Sequence, residues 1–262
     1  MNLDLKNKRA LVCGSTQGIG KAVAIELALL GANVTLVARN EQSLKQTKSE
    51  LHNNGSQLHS YLCVDFNDAQ ALKELVEQFV QRSGPVNVLI NNTGGPAAGS
   101  IAAAKTEDFL SAFNNHLICN HILAQACFEG MKNSGYGRIV NIISTSVKQP
   151  LPNLGVSNTI RAAVANWAKT LANELGKFGI TVNNVLPGAT ATQRLTGIIE
   201  NKAAKTAASQ EEVKKEMLHE IPLARFAEAS EIAAAVAFLA SPAGAYINGV
   251  NLPVDGGRTA SL

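Results

Sequence analysis

Cys13-Gly14-Ser15-Thr16-Gln17-Gly18-Ile19-Gly20 joins an apolar run, 10–13, to a stretch with apolar residues at helical spacing, 19–30. Its glycines are spaced G-x-x-x-G-x-G. A chain that leaves a buried strand here must turn sharply, let a ligand come close to its backbone, and start a helix packed on the strand. Gly14, Gly18 and Gly20 supply these three things in turn. The helix start that follows offers unpaired N–H groups and the positive end of a dipole, which suit a phosphate. Ser15, Gln17 and Ile19 are the other residues of the turn placed to line such a site. Glycine-rich turns also occur with no ligand, but the setting between strand and helix favours a dinucleotide.

The alternation continues outward. Strand-like runs at 34–38, 58–64, 86–90, 139–143, 181–186 and 250–254 are separated by amphipathic stretches at 41–53, 68–83, 106–131, 154–178 and 230–239. This pattern predicts an α/β fold: a single Rossmann-type, doubly wound parallel sheet of about seven strands with helices on both faces. Its crossovers are expected to be right-handed. A length of 262 residues fits one such domain, spanning 1–262, and neither a linker nor a repeat divides the chain. The least regular segment, 189–211, precedes a helical stretch at 211–220. Together, 189–220 is expected to lie over the strand ends as a substrate lid, the alternative being a plain surface helix. The stretches 106–131 and 154–178 are too apolar for a free surface. Ile118, Ile122 and Trp167 are expected either to face another subunit, giving a homodimer or homotetramer, or to pack inside.

Composition excludes several classes. With 46% hydrophobic and 16% charged residues the chain can bury a large core and does not resemble a disordered one. A dispersed net charge of +3 argues against nucleic acid or an acidic membrane surface as partner. The longest apolar runs, such as 232–240, are too short to span a bilayer, and residues 1–8 lack the apolar core of a signal peptide. A cytoplasmic location is the expectation. Cys13, Cys63, Cys119 and Cys127 form no C-x-x-C pair and read as buried free thiols, with no metal site.

The second strand ends in Val37-Ala38-Arg39-Asn40. Where a carboxylate would accept from the ribose 2′-hydroxyl of NAD, Arg39 suits the 2′-phosphate of NADP(H), which a carboxylate would repel. A solvated arginine is the alternative.

These motifs carry a resemblance to the short-chain dehydrogenase/reductase family that spans nearly the whole chain, in particular to its members that resemble 3-oxoacyl-(acyl-carrier-protein) reductases. Asp65 after the third strand resembles the family's acidic residue that bonds the adenine amino group. Asn91-Asn92-Thr93-Gly94 resembles its N-N-A-G turn, and Pro187-Gly188 through Thr192 its P-G-x-x-x-T segment beside the nicotinamide. Ile221-Pro222-Leu223 with Arg225, and the ending Asn248-Gly249 to Asp255-Gly256-Gly257, fit as well. The resemblance implies cofactor-binding roles for Gly14, Ser15, Gln17, Gly18, Ile19, Gly20, Arg39, Asp65, Asn91, Arg161, Pro187, Gly188 and Thr192. It also implies a small carbonyl or alcohol substrate.

The resemblance breaks at the catalytic positions. The family uses Asn, Ser, Tyr and Lys. Ser144 matches the serine, but Ser157 stands at the tyrosine position, Arg161 at the lysine and His116 at the asparagine. Tyrosine has a pKa of about 10, which a neighbouring cation can lower, whereas an alkyl hydroxyl starts far higher and is a poor proton relay. Arginine keeps the charge but cannot shuttle protons. His116 is the one new group expected to do acid–base work near neutral pH, unless it is simply packed and bonded locally. Lys148 and Gly95 are expected to border the substrate pocket, Lys148 as an anion site or a solvated lysine. The expected activity is an NADP(H)-dependent carbonyl reductase or alcohol dehydrogenase. The alternatives are an NADP(H) sensor or partner subunit without turnover, and a lyase or epimerase.

Overall fold

The computed structural model describes residues 1–261. Seven strands, β1 (Arg9–Cys13), β2 (Asn33–Ala38), β3 (Ser60–Cys63), β4 (Val88–Asn91), β5 (Gly137–Ile142), β6 (Ile180–Pro187) and β7 (Asn251–Val254), form one sheet in the order β3-β2-β1-β4-β5-β6-β7. Every pairing is parallel, with Leu11 of β1 opposite Thr35 of β2 and Leu89 of β4. The expected Rossmann-type sheet is the one observed. The order reverses between β1 and β4, which opens a crevice beyond the carboxyl ends of those strands.

Side-chain alternation builds a core on each face. Ala10 and Val12 of β1 point one way, with Val34, Leu36, Val88 and Ile90, against α1 (Gly18–Leu29) and α9 (Ala229–Ala240). Leu11 and Cys13 point the other way, with Val37, Leu89 and Ile139. There they meet α3 (Ala69–Ser83), α5 (Cys119–Ser134) and α6 (Gly155–Leu175). Strands apolar on both faces are what a parallel sheet requires. Each fully buried leucine, such as Leu11 or Leu27, contributes about 1.5–3 kcal/mol. The remaining helices are α2 (Glu41–Glu50), α4 (Thr106–Phe113), α7 (Gln193–Thr206) and α8 (Gln210–His219).

Three elements differ from the sequence expectation. The stretch 106–131 is not one helix: α4 and α5 are separated by a wide π-type turn over Asn114–Ile118. Side chains hold that turn open. Asn114 Nδ2 donates to the Phe66 carbonyl at 3.0 Å, Asn115 Nδ2 to Asn67 Oδ1 at 2.9 Å, and Cys119 Sγ to the Phe66 carbonyl at 3.3 Å. The segment expected to be irregular, 189–211, contains the regular helix α7. Helix α2 stops at Glu50 rather than running to 53, because Asn53 Oδ1 accepts from the Gly55 N–H and Gly55 sits at φ +90°. Of the cysteines, Cys13, Cys119 and Cys127 are buried free thiols, but Cys63 at the end of β3 is exposed. No helix among the described residues is long and apolar enough to cross a membrane.

Candidate active site

The glycine turn follows β1 at the crevice. Gly14 and Gly18 have φ of +58° and +53°, a region that L side chains avoid. A Cβ on Gly14 would lie 2.6 Å from the Asn92 carbonyl oxygen, and one on Gly20 would lie 2.1 Å from the Gly14 carbonyl oxygen. No side chain caps α1 and no acidic residue stands in its first turn, so its leading N–H groups are left to a ligand. Ser15 is fully buried, and its Oγ accepts from the Val37 N–H at 3.1 Å. Its side chain therefore ties the turn to β2. Gln17 is exposed and Ile19 half-buried at the rim.

Beyond β4, the two asparagines divide their work. Asn92, which sequence reasoning passed over, donates Nδ2 to the carbonyls of Cys13 (3.3 Å) and Gly14 (3.2 Å) and so braces the glycine turn. The Asn91 side chain is buried and donates to Asn141 Oδ1 at 2.8 Å. Asn141 donates to Asn184, and Asn184 to Asn251, each at 2.8 Å. This amide chain crosses β4 to β7 and leaves Asn91 Oδ1 buried without a partner. At the end of β2, Arg39 is exposed, with Nη1 3.8 Å from Asp65 Oδ2. Such a loose exposed pair holds neither group firmly. Asp65 Oδ1 also accepts from the Asn67 N–H at 2.9 Å. The segment after β6 passes over the turn. A Cβ on Gly18 would lie 3.2 Å from Thr192 Cγ2, and one on Gly188, just after Pro187, would lie 2.7 Å from Asp255 Cα.

The altered catalytic positions gather where β5 ends. Ser144 follows β5 in extended conformation, and its Oγ accepts from the Ser146 N–H at 3.1 Å. Lys148 is half-buried and ends the tight turn Thr145–Val147 that Ser144 opens. Ser157 and Arg161 lie one turn apart on α6, 7% and 8% exposed. Arg161 Nη1 donates to the Ile142 carbonyl at 2.9 Å, while its Nε is buried without a partner. Burial, and then the charge of Arg194, pull its pKa down to about 10, so it remains cationic at neutral pH.

His116 sits on the wide turn, which packs against α6. It is 3% exposed, with Nδ1 2.5 Å from Thr93 Oγ1. Burial first, then the positive charges of Arg161 and Arg194, push its pKa down to about 3. The expectation of an imidazole titrating near pH 7 is therefore not met: this histidine is neutral at neutral pH. Its partner Thr93 and the nearby Arg194 were both missed in the sequence. Thr93 was legible as the departure from N-N-A-G, whereas a single arginine in a polar stretch carried no signal. Arg194 donates Nη1 to the Gly95 carbonyl at 3.0 Å and Nη2 to the Pro96 carbonyl at 3.4 Å. It is thus laid on the loop expected to border the substrate.

Two open clefts of about 620 and 600 Å³ flank α7 and α8, lined by Lys214, Phe226 and Ala191 among others. Neither is lined by His116, Ser144, Ser157 or Arg161, so converging polar groups rather than cleft size mark the site. A family model described as enoyl-(acyl carrier protein) reductase, of the short-chain alcohol dehydrogenase type, matches residues 14–259.

The chain belongs to the short-chain dehydrogenase/reductase family.

Among its relatives in the family, the 3-oxoacyl-(acyl-carrier-protein) reductase FabG of Haemophilus influenzae is 34% identical, over 97% of this chain and 98% of that one. The NADPH-dependent reductase BacG of Bacillus subtilis is 30% identical, over 98% of this chain and all of the relative. The L-sorbose reductase of Gluconobacter frateurii, solved with NADPH and L-sorbose, superposes over the full length of both chains. Its TM-score is 0.92, at 28% identity.

Proposed function

We propose that the protein is an NADP(H)-dependent oxidoreductase of a carbonyl or alcohol substrate, working without the family's tyrosine and lysine. One observation carries this reading. The uncapped start of α1 and Arg39 follow the carboxyl ends of β1 and β2, on the side of the parallel sheet where Thr93, bonded to His116, follows β4 and where Ser144 and Ile142, bonded to Arg161, lie at the end of β5. NADPH-dependent relatives support the choice of cofactor. The glycine cradle, which any Cβ would fill, and the unpartnered Nε of Arg161 fit a bound nucleotide. When bound, NADPH supplies the hydride, and the protein supplies position and charge.

The residues divide that task. The first-turn N–H groups of α1, with the backbone of Ser15, Gln17 and Ile19, cradle the pyrophosphate. Arg39 takes the 2′-phosphate, Asp65 the adenine, and Pro187, Gly188 and Thr192 the nicotinamide side. Arg161, anchored by Ile142, faces the ribose and the developing negative charge on the substrate oxygen. Ser144 and Ser157 orient the carbonyl. In the tautomer that carries its proton on Nε2, His116 accepts from Thr93 at Nδ1 and offers Nε2–H as a neutral donor, with water as the ultimate proton source. Helices α7 and α8, joined by the Lys202–Glu216 ion pair at 2.9 Å, form the lid over 189–220. The exposed apolar side chains Leu110 and Phe113 on α4 and Ile118 on the wide turn form the contact of a homodimer or homotetramer.

A second reading rests on a specific observation: among Ser144, Ser157, His116 and Arg161, no group titrates near neutral pH. That favours a nucleotide-binding sensor or partner subunit. The two are separated by NADPH and NADH binding, and NADPH oxidation, against a panel of ketones, aldehydes, quinones and 3-oxoacyl thioesters. Turnover that falls in a His116→Ala variant with NADPH binding intact supports the reductase. Tight NADPH binding without turnover supports the sensor.

A further inference from the structure

Arg161 and Arg194 bring two guanidinium groups to one site. Among the described residues, no carboxylate lies within ion-pair distance of either. Arg161 comes from α6, is 8% exposed, and keeps its Nε buried and unpartnered. Arg194 comes from the first turn of α7. Its two bonds to the Gly95 and Pro96 carbonyls fix the guanidinium plane and leave further N–H groups to a ligand. Gly95 permits this arrangement, since a Cβ there would lie 2.5 Å from Arg194 Nη2. Helix α7 itself has no side-chain cap and no acidic residue in its first turn, so its positive end adds to the same field.

Arg194 is bonded to Gly95 and Pro96, His116 to Thr93 of the same loop, and the wide turn that carries His116 packs against α6, which carries Arg161, so the three groups meet around one loop. Arg161 is buried and Arg194 exposed, so the cost falls chiefly on the buried charge, which a second like charge nearby raises unless an anion enters. The proposed nucleotide already has sites for its phosphates at the glycine turn and Arg39, and its nicotinamide ribose is neutral. The site therefore lacks an anion from the substrate.

We propose that the substrate is a carbonyl compound carrying a carboxylate, an oxo acid interconverted with its hydroxy acid, and that Arg194 binds the carboxylate while Arg161 faces the carbonyl oxygen. This rests on the reductase reading above and names its substrate class. A planar guanidinium held by two carbonyls is pre-oriented for the two oxygens of a carboxylate, which a lysine would meet only as a point charge.

The test is isothermal titration of the protein saturated with NADP+, with which an oxo acid cannot react, with 2-oxohexanoate, 4-oxohexanoate and 6-oxoheptanoate, each beside its methyl ester. It is run on the wild type and on Arg194→Leu and Arg194→Gln. At least one acid is expected to bind about tenfold or more tighter than its ester, with the preference falling below about threefold in both variants. NADPH affinity measured separately is expected to stay within about threefold of wild type. If no acid binds better than its ester, or if the preference survives in both variants, the proposal is overturned. Variants that lose NADPH affinity instead overturn it as well, by assigning Arg194 to the cofactor's pyrophosphate. Failure of the wild type to bind NADPH at all would be a failure of the reductase reading, read before any acid is added.

Discussion

Arg161 shows how one residue can be unfavourable for the fold and necessary for the site. Its burial holds the pKa at about 10, below the ordinary 12.5. At any pH below 10 the folded protein thus carries a charge it would be more stable without. Arg161→Met removes the charge and the orphaned Nε together. Its urea midpoint is expected to stay level or rise by about 1 kcal/mol equivalent, while NADPH affinity falls about tenfold or more. A variant both less stable and unchanged in binding would contradict this role.

His116 has linkage of the same sign, in a window below neutral pH. Its folded pKa of about 3 lies under the ordinary 6.5, so between these values the unfolded chain binds the extra proton. Stability then falls as pH drops through this window, by up to about 1.4 kcal/mol per pH unit. Denaturation at pH 7.5 and pH 5 should show this slope in the wild type and lose it in His116→Asn. At Arg39, exchange to Asp is expected to weaken NADPH binding far more than NADH binding; equal losses would count against the 2′-phosphate assignment. The glycines and Arg39 were legible because turn geometry and charge need no tertiary context. The neutral state of His116 was not, because it depends on burial and on two arginines distant in sequence.

At the scale of elements, the amide chain from Asn91 to Asn251 couples four strands beneath the site. Asn141→Ala would orphan both the Asn91 Nδ2 donor and the Asn184 Oδ1 acceptor. With about 1–3 kcal/mol for each of the two orphaned groups, a loss of about 2–6 kcal/mol is expected in denaturant titration. A loss under about 0.5 kcal/mol would show that the chain contributes little. Such a ladder was invisible in the sequence, since asparagines within strands match no periodic pattern. The wide turn at Asn114–Ile118 was hidden for a related reason: the apolar spacing of 106–131 continues through it, and the bonds to Phe66 and Asn67 that open it come from another part of the chain. Helix α7 was read as irregular because its alanines, threonines and lysines show no apolar stripe, although its start holds Arg194.

For the whole molecule, the number of strands, their parallel pairing and the two-faced core follow from apolar runs punctuated by glycine turns, and these the sequence displayed openly, whereas the strand order came from the structure. Association is less legible, because an apolar helix packs equally well inside a chain or against a second copy. Trp167 illustrates this. It packs partly on the core, and its ring meets His121 edge-on with centroids 6.3 Å apart. Leu110 and Phe113, by contrast, are 64% and 40% exposed. Light scattering is expected to give a dimer or tetramer for the wild type and a shift toward monomer for the double variant Leu110→Glu, Phe113→Glu. A monomeric wild type would remove the interface.

The central claim is that this altered set of residues still supports hydride transfer. The most direct measurement follows deuterium from C4-deuterated NADPH into product by mass spectrometry, across oxo acids, ketones, aldehydes and 3-oxoacyl thioesters. The account predicts one deuterium on the carbinol carbon of at least one product, with transfer lost in Arg161→Met. Saturable NADPH binding with no deuterium in any product would contradict it and leave a nucleotide-binding protein without redox turnover.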